Sequence, residues 1–325
     1  MKTSSIFKKG AIALSLAAGF AVGGSAVAST LAQSTLQITN FQFKNAAGTA
    51  ALDVSAFTPG SLNIQDSTNL NPFLNGVFNP YSNTTSGGAP LPLTVRCVAS
   101  SCPAFLNSGA PFANATTPPG GSGALAASSL DGTPITGLPG ALGANARTAA
   151  LSQLTAAGVA NSASNLSLLT TFSFTLLSAQ QVTIDFNSLV HLIAFANTPG
   201  SANAGVGWSI DIVNQSNNGI NVFHWAPDGV VGTGITGGTE SLDSCNLQAS
   251  RGVFLPGSSG YDCTGEERAL TNTLLAGTNY TLSISHQTRS DVTQPAQVPE
   301  PETLLLMGLG LAGLGVAQRR RVRKA

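Results

Sequence analysis

Apolar residues recur at every second position in several short runs of the chain, and Asn40 stands where the first alternation changes face. The runs are Leu36 and Ile38; Phe41 and Phe43; Phe172, Phe174 and Leu176; Val182, Ile184 and Phe186; Val206, Trp208, Ile210 and Ile212; and Tyr280, Leu282, Ile284 and His286. A period of two predicts half-buried strands. Segments 45–48, 178–180 and 217–219 have the composition of turns between them. The pattern therefore predicts an all-β fold, an antiparallel β-sandwich or jelly-roll-like body.

Two stretches interrupt this alternation. Asn, Pro and Gly in residues 69–79 predict a loop with buried aromatic side chains. Residues 82–165 are rich in Gly, Ala, Ser and Pro, and we expect a low-complexity insertion, much of it mobile, because such a composition buries little apolar surface. Within it, residues 144–159 are rich in Ala and have Leu151 and Leu154 at helical spacing, which predicts one helix.

The N-terminal segment has the organisation of a secretory signal. A basic start precedes an apolar run over residues 11–22, and a small-residue cleavage site follows at Ala26 and Ala28. We therefore predict a signal peptide over residues 1–28 and a mature chain that begins at Ser29. The exported β-rich domain then spans residues 29–297.

The C-terminal segment combines a short motif, an apolar run and a basic end. The uncharged run over residues 303–317 would cover roughly 22 Å as a helix, which is less than the roughly 30 Å hydrocarbon core. It predicts a short hydrophobic transmembrane helix that makes a poor permanent anchor, with its basic end in the cytoplasm. The motif and the basic cluster consist of Val298, Pro299, Glu300 and Pro301, and of Arg319, Arg320 and Arg321.

This arrangement over residues 298–325 resembles the PEP-CTERM sorting signal of Gram-negative bacteria. The resemblance implies that the general export machinery delivers the chain, that the tail enters the inner membrane transiently, and that exosortase removes it near the motif. The protein would then reach the cell surface or the extracellular matrix. Looser phrases such as "NVFHWAPDG" and "YTLSISHQ" are similar to EDSAP-type proteins with such tails, a subgroup without defined chemistry.

The charge balance changes when the two terminal segments are set aside. The full chain has 14 basic and 14 acidic residues, but the segment between the signal peptide and the motif keeps only six basic and twelve acidic ones. Its net charge is then near −6. Nucleic acid is not an expected partner, because binding to nucleic acid depends on basic residues that neutralise phosphates.

The four cysteines predict disulfides, since the chain is expected to be exported and their number is even. Of the three possible connectivities, we predict the local one, in which Cys97 pairs with Cys102 and Cys245 with Cys263. A zinc site would need two closely spaced pairs, and only the first pair has that spacing.

Catalytic residue sets are sparse. The only histidines are His191, His224 and His286, and no G-x-S-x-G motif accompanies them. We interpret His191 and His286 as core or strand-end residues, and we expect no enzyme.

A carbohydrate site is the alternative to a purely structural role. Trp225 precedes a turn that contains Asp228, and an exposed indole can stack on a sugar ring. With Trp208, these residues would form the contact surface of a carbohydrate-binding module or of a polysaccharide-active enzyme.

Five acidic residues surround the second cysteine pair, and a disulfide there would gather them at one edge. They are Glu240, Asp243, Asp262, Glu266 and Glu267. Calcium prefers such oxygen ligands, although an acidic surface loop is the favoured interpretation. No other cofactor is expected. The sequence as a whole predicts a structural or adhesive protein of the exopolysaccharide layer, with extracellular polysaccharide as the hypothetical partner.

Overall fold

The computed structural model describes residues 29–99, 121–197 and 199–296, and within them the chain is built of strands without an α-helix. The predicted signal peptide, Cys102 and residues 298–325 lie outside the described residues. The strands are β1 Thr30–Lys44, β2 Asn63–Leu74, β3 Val77–Phe78, β4 Tyr81–Ser86, β5 Leu91–Ala99, β6 Gly123–Asp131, β7 Ala144–Leu154, β8 Gly158–Thr175, β9 Thr183–Ala196, β10 Ser201–Asn214, β11 Ile220–Trp225, β12 Ile235–Thr236, β13 Gly238–Asp243, β14 Ser250–Val253, β15 Gly257–Thr271 and β16 Asn279–Gln294.

These strands form two antiparallel sheets that pack face to face, so the predicted β-sandwich is confirmed. The first sheet has the order β13-β15-β9-β1-β7-β6-β5. The second has the order β12-β11-β10-β16-β8-β2-β3, with β14 added on β10 and β4 added on β2. Inward side chains of both sheets make one main core.

The change of face at Asn40 is a β-bulge inside a single long strand. Asn40 has a left-handed backbone, with φ of 56°, and the register of β1 shifts here against both neighbours, β7 and β9. Leu36 before the bulge and Phe41 after it therefore both point into the core. The predicted turn at 45–48 is present, but no full strand follows it, only a bridge at Ala51 and a short 3-10 helix at Val54–Ala56.

One half of the sandwich, here called the aromatic half, is filled by ring side chains. Phe186 is central to it, because its ring centroid lies 4.7 Å from that of Trp208 and 5.5 Å from that of Trp225. The alternating runs placed every ring of this half except that of Trp225 on one face of a predicted strand. The aromatic half consists of Phe41, Phe43, Phe172, Phe174, Phe186, Trp208, Trp225 and Tyr280.

The other half, here called the small-residue half, corrects the prediction for residues 82–165. The described residues of that segment form most of β4, all of β5, β6 and β7 and the first part of β8, rather than a mobile insertion. Residues 144–159 are strand β7 and the start of β8, not a helix. The small-residue half consists of the inward residues Ala32, Ser34, Ala124, Ser152, Ala160, Ser162, Ser164, Ala202 and Ser290.

Serine hydroxyls connect the two sheets in the small-residue half. Ser164 on β8 donates to the carbonyl oxygen of Ala127 on β6 at 2.7 Å, and Ser34 on β1 donates to that of Arg289 on β16 at 2.8 Å. A serine side chain is too short to cross the usual spacing of about 10 Å between stacked sheets. The sheets therefore lie unusually close together here, and a composition that looked too poor in apolar surface still forms a packed interior.

Residues 69–79 also differ from the predicted loop. Residues 69–74 complete β2, Asn75 and Gly76 make a tight turn with positive φ, and β3 follows. Asn-Gly is the preferred pair for a two-residue hairpin.

Candidate functional site

The two tryptophans proposed as ligand contacts are core residues. Trp208 is 1% exposed and Trp225 is 0% exposed. The indole nitrogen of Trp225 donates a hydrogen bond to Glu240. Neither ring face is open to a sugar, because the rings pack against each other and against Phe186.

Asp228, the third residue of that group, holds its own turn together. Its carboxylate accepts from the backbone N–H of Val230 at 3.0 Å and from the hydroxyl of Thr233 at 2.8 and 2.7 Å. Asp243 accepts from the backbone N–H groups of residues 228, 229 and 230 at 3.0 to 3.1 Å. These acids therefore fix the loop that follows β11.

Glu240 and Glu267 are buried beside this loop. Glu240 accepts from the backbone N–H of Gly232 at 2.8 Å in addition to Trp225. Glu267 accepts from the hydroxyl of Ser188 at 2.7 Å and from the backbone N–H groups of residues 244 and 245 at 2.9 and 3.1 Å. Burial raises the pKa of Glu267 to about 7, against the opposing effect of these hydrogen bonds. Burial also raises the pKa of Glu240 and that of Asp243.

The predicted disulfide between Cys245 and Cys263 is present and joins the segment after β13 to β15. It does not gather the five acids around one point. Asp262 instead contacts His191 on β9, and Glu266 is exposed. Within residues 29–99, 121–197 and 199–296 no three His, Cys, Asp or Glu side chains are arranged to hold a metal ion. Calcium binding stays a prediction, and so does the pairing of Cys97 with Cys102.

The remaining histidines differ in environment. His224 contacts Asp211 on the neighbouring strand at 2.8 Å and is partly exposed. His286 is buried, its Nε2 donates to the carbonyl oxygen of Leu36 at 3.2 Å, and burial lowers its pKa to about 4. His286 is therefore a neutral core residue at physiological pH, in agreement with the sequence-based interpretation.

Sequence reasoning missed a cavity between the sheets, where the aromatic half meets the small-residue half. Its polar lining consists of Asp66 and Ser67 on β2, Thr133 after β6, Thr170 on β8 and His286 on β16. A signal was present, because Ile64, Asp66, Thr68 and Leu70 alternate and place an acid on the buried face of a strand. Residues 69–79, which include Leu70, were interpreted as a loop, and this interpretation hid the pattern.

In the described part of the chain, no helix has both the length and the apolar character needed to span a membrane. The predicted helix over residues 303–317 lies outside that part.

Comparisons with known proteins identify the C-terminal segment. Residues 297–321 match a family model described as the PEP-CTERM protein-sorting motif, which confirms the motif predicted from the sequence. No curated protein matches the chain. A solved structure of infectious bursal disease virus Gx strain aligns with 8% identity over 91% of this chain and 75% of that chain, with a TM-score of 0.11, too low to support any argument. None of these matches supports the EDSAP-type subgroup.

Proposed function

We propose that this chain, an exported protein that carries a PEP-CTERM sorting motif, serves as a non-enzymatic structural or adhesive unit of the exopolysaccharide layer at the cell surface. The motif supports sorting by exosortase. The role of the β-sandwich after sorting is the new part of the proposal.

The observation that carries it is the way in which the candidate acids are used. Asp243 and Glu267 each accept several hydrogen bonds from their own chain, and Glu240 accepts two. A catalytic acid or base needs an oxygen within reach of the substrate. Acids whose oxygens hold a loop and a disulfide-linked segment stabilise the fold instead, which favours a structural role over the carbohydrate-active alternative.

An adhesive surface is available on strand β4, which lies outside the main order of its sheet. Its exposed side chains are Ser82, Thr84 and Ser86, and they carry uncharged hydroxyl groups. Hydroxyl groups can donate to and accept from the hydroxyls of a polysaccharide. We infer that this row contacts the matrix.

Processing is tested on the protein recovered from the surface fraction of its host, by intact mass. A C-terminus near Pro299 to Pro301 is expected. In the variant with Glu300→Ala and Pro301→Ala the full tail should remain, whereas Glu302→Ala, just outside the motif, should leave processing unchanged. Recovery of the wild-type chain in the inner membrane with Ala325 still attached would contradict release to the matrix.

Adhesion is tested by co-sedimentation of the protein with purified exopolysaccharide of the same host. We expect the triple change Ser82→Ala, Thr84→Ala and Ser86→Ala to weaken binding about tenfold to a hundredfold, since each of the three lost hydrogen bonds contributes about 0.5–1 kcal/mol. A control with Ser258→Ala and Thr264→Ala removes exposed hydroxyls from β15 and should bind normally. Equal loss in both variants, or no binding by the wild type, would contradict the assigned surface.

A further inference from the structure

The cavity between the two sheets has both the size and the chemistry of a small-molecule site. Its volume is about 60 Å³, measured as the space that the centre of a water molecule can occupy. By this measure one water needs roughly 10–15 Å³, so the cavity has room for about four to six waters or for one small ring. Most of its lining is apolar, with Phe41, Phe172 and Trp208 as the largest side chains.

The cavity lies beside irregularities in strands of both sheets. In the first sheet, β1 has its bulge next to Ile38 and Phe41. In the second, β8 has four residues between its pairings with Gln65 and Thr68, whereas β2 has two. Bulges bend strands locally and occur preferentially beside functional sites. Here both irregularities lie next to residues that line the cavity, Ile38 and Phe41 in one sheet and Asp66 and Thr170 in the other.

The polar side of the cavity centres on Asp66, which is 4% exposed. One carboxylate oxygen, Oδ1, accepts a hydrogen bond from the hydroxyl of Thr170 at 2.6 Å. Within the described part of the chain, no group donates to the other oxygen, Oδ2. A buried carboxylate with a single partner is costly, and it contrasts with Asp243 and Glu267, whose oxygens receive several donors.

Within the part of the chain that the structure describes, no basic side chain of Lys or Arg lines the cavity beside this acid. The nearby His286 is neutral. Burial raises the pKa of Asp66 accordingly. Oδ2 of Asp66 therefore needs a hydrogen-bond donor, and the apolar wall beside it can hold a ring.

Two half-buried glycines lie at the edge of the cavity. Gly88, in the loop after β4, and Gly132, after β6, both line the cavity and are only half-buried. Gly132 has φ of 76°, and a Cβ atom there would lie 2.5 Å from the carbonyl oxygen of Gly143. The loop between β6 and β7 is thus closely packed against itself at Gly132, whereas a Cβ atom on Gly88 would meet only Ile64, at 4.0 Å. Neither glycine has a side chain that would fill the opening.

We propose that this cavity binds a small, uncharged and largely apolar ring molecule that carries one hydroxyl group, with the hydroxyl donating to Oδ2 of Asp66 and the ring packed against Phe41, Phe172 and Trp208. Trp208 supplies a fluorescent reporter in the wall of the site. This inference does not depend on the proposed matrix role, since each can fail without the other.

The test uses the purified full-length chain at pH 8, with cyclohexanol and cyclohexanone as probes. The two rings are alike in size, but only the alcohol can donate a hydrogen bond. We expect saturable binding in tryptophan fluorescence and in calorimetry, with cyclohexanol bound about tenfold more tightly than cyclohexanone.

Two variants separate the parts of the site. Asp66→Asn should remove the preference for the alcohol while leaving the ring-binding wall in place. Ala146→Leu adds volume at a position that lines the cavity and should abolish binding of both probes. Glu266→Gln makes the same acid-to-amide change at an exposed position and should behave as the wild type.

The proposal is overturned if neither probe binds saturably to the wild type, because the cavity then holds only water. It is also overturned if the tenfold preference persists in Asp66→Asn, or if folded Ala146→Leu binds as the wild type does. Circular dichroism and thermal melting establish folding, and should Ala146→Leu fail to fold, the loss of preference in Asp66→Asn decides alone.

Discussion

The two halves of this sandwich reach a packed interior by different means. In the aromatic half, large rings fill a wide space, and Phe186 touches Trp208 and Trp225. In the small-residue half, alanine and serine side chains let the sheets approach until Ser164 reaches a backbone carbonyl of the facing sheet. Aromatic packing relies on burial of apolar area, whereas the close approach relies on dispersion contacts and on hydrogen bonds that satisfy buried hydroxyls.

This difference shows that low apolar content does not by itself indicate a mobile segment. Ser152 and Ser290 face each other across the sheets with their hydroxyl oxygens 2.9 Å apart. A buried polar group is tolerated when it finds such a partner, because the cost of leaving it unpaired is then avoided. The two halves should therefore respond to substitutions in opposite ways.

Removal of volume should do most harm in the aromatic half. Phe186→Ala deletes a ring that is 1% exposed, and we expect the free energy of unfolding to fall by about 4 kcal/mol. Urea denaturation followed by circular dichroism measures this change. Phe254→Ala is the control, because that ring is 79% exposed and its loss should change stability by less than about 0.5 kcal/mol. Similar losses in both variants would mean that the aromatic half is not the stabilising core.

Loss of the disulfide should rank next. The Cys245 to Cys263 bond links residues 18 apart. It fixes the segment that contains Leu247, whose carbonyl oxygen accepts a hydrogen bond from the backbone N–H of Trp208. In the chain-entropy description, a loop of this length contributes about 3 kcal/mol. The double change Cys245→Ala and Cys263→Ala should lower the denaturation midpoint accordingly. An unchanged midpoint would show that the segment is held by its hydrogen bonds alone.

Addition of volume should do most harm in the small-residue half. Ser164→Leu should reduce stability by about 2–3 kcal/mol, since the closely spaced sheets have no room for the longer side chain. Ser164→Ala should lower the free energy of unfolding by only about 1 kcal/mol, because it removes a single hydrogen bond. Ser173→Leu on the same strand is the control, because Ser173 alternates with inward Phe172 and Phe174 and faces away from the core. If Ser164→Leu is no worse than this control, the sheets are not tightly packed here.

The smallest expected effect is a dependence of stability on pH. Glu267 and His286 contribute to it with opposite signs. Glu267, beside the aromatic half, has a pKa raised to about 7, so the folded chain gains stability as pH falls from 8 towards 6.5. His286, at the boundary, has a pKa lowered to about 4, so its contribution is lost as pH falls from 6.5 towards 4. We expect a rise of at most about 1 kcal/mol between pH 8 and 6.5, measured by urea denaturation.

Glu267→Gln should abolish that rise, whereas Glu266→Gln, one residue away and exposed, should retain it. A rise that persists in Glu267→Gln would assign the titration to another group.

Parts of the fold and of the candidate site could be predicted from local patterns. The runs that include Phe172, Phe186 and Trp208 gave their strands correctly, and the C-terminal motif was identifiable from its order of elements. The ligand-contact interpretation of Trp225 required its indole to face solvent, and a two-residue period does not determine which face of a strand packs against the other sheet. Asp66 was missed because it lines a cavity whose other walls come from residues far away in the sequence.

What the sequence determined by itself is therefore local and periodic: the strand pattern, the change of face at Asn40, the predicted pairing of Cys245 with Cys263 and the sorting motif. Each of these depends on neighbouring residues or on short spacings. Only the tertiary structure decided that residues of low apolar content form packed strands, that both tryptophans are buried, and that Asp66 lies beside a cavity. These outcomes depend on the distance between two sheets, which arises from contacts between residues far apart in the chain.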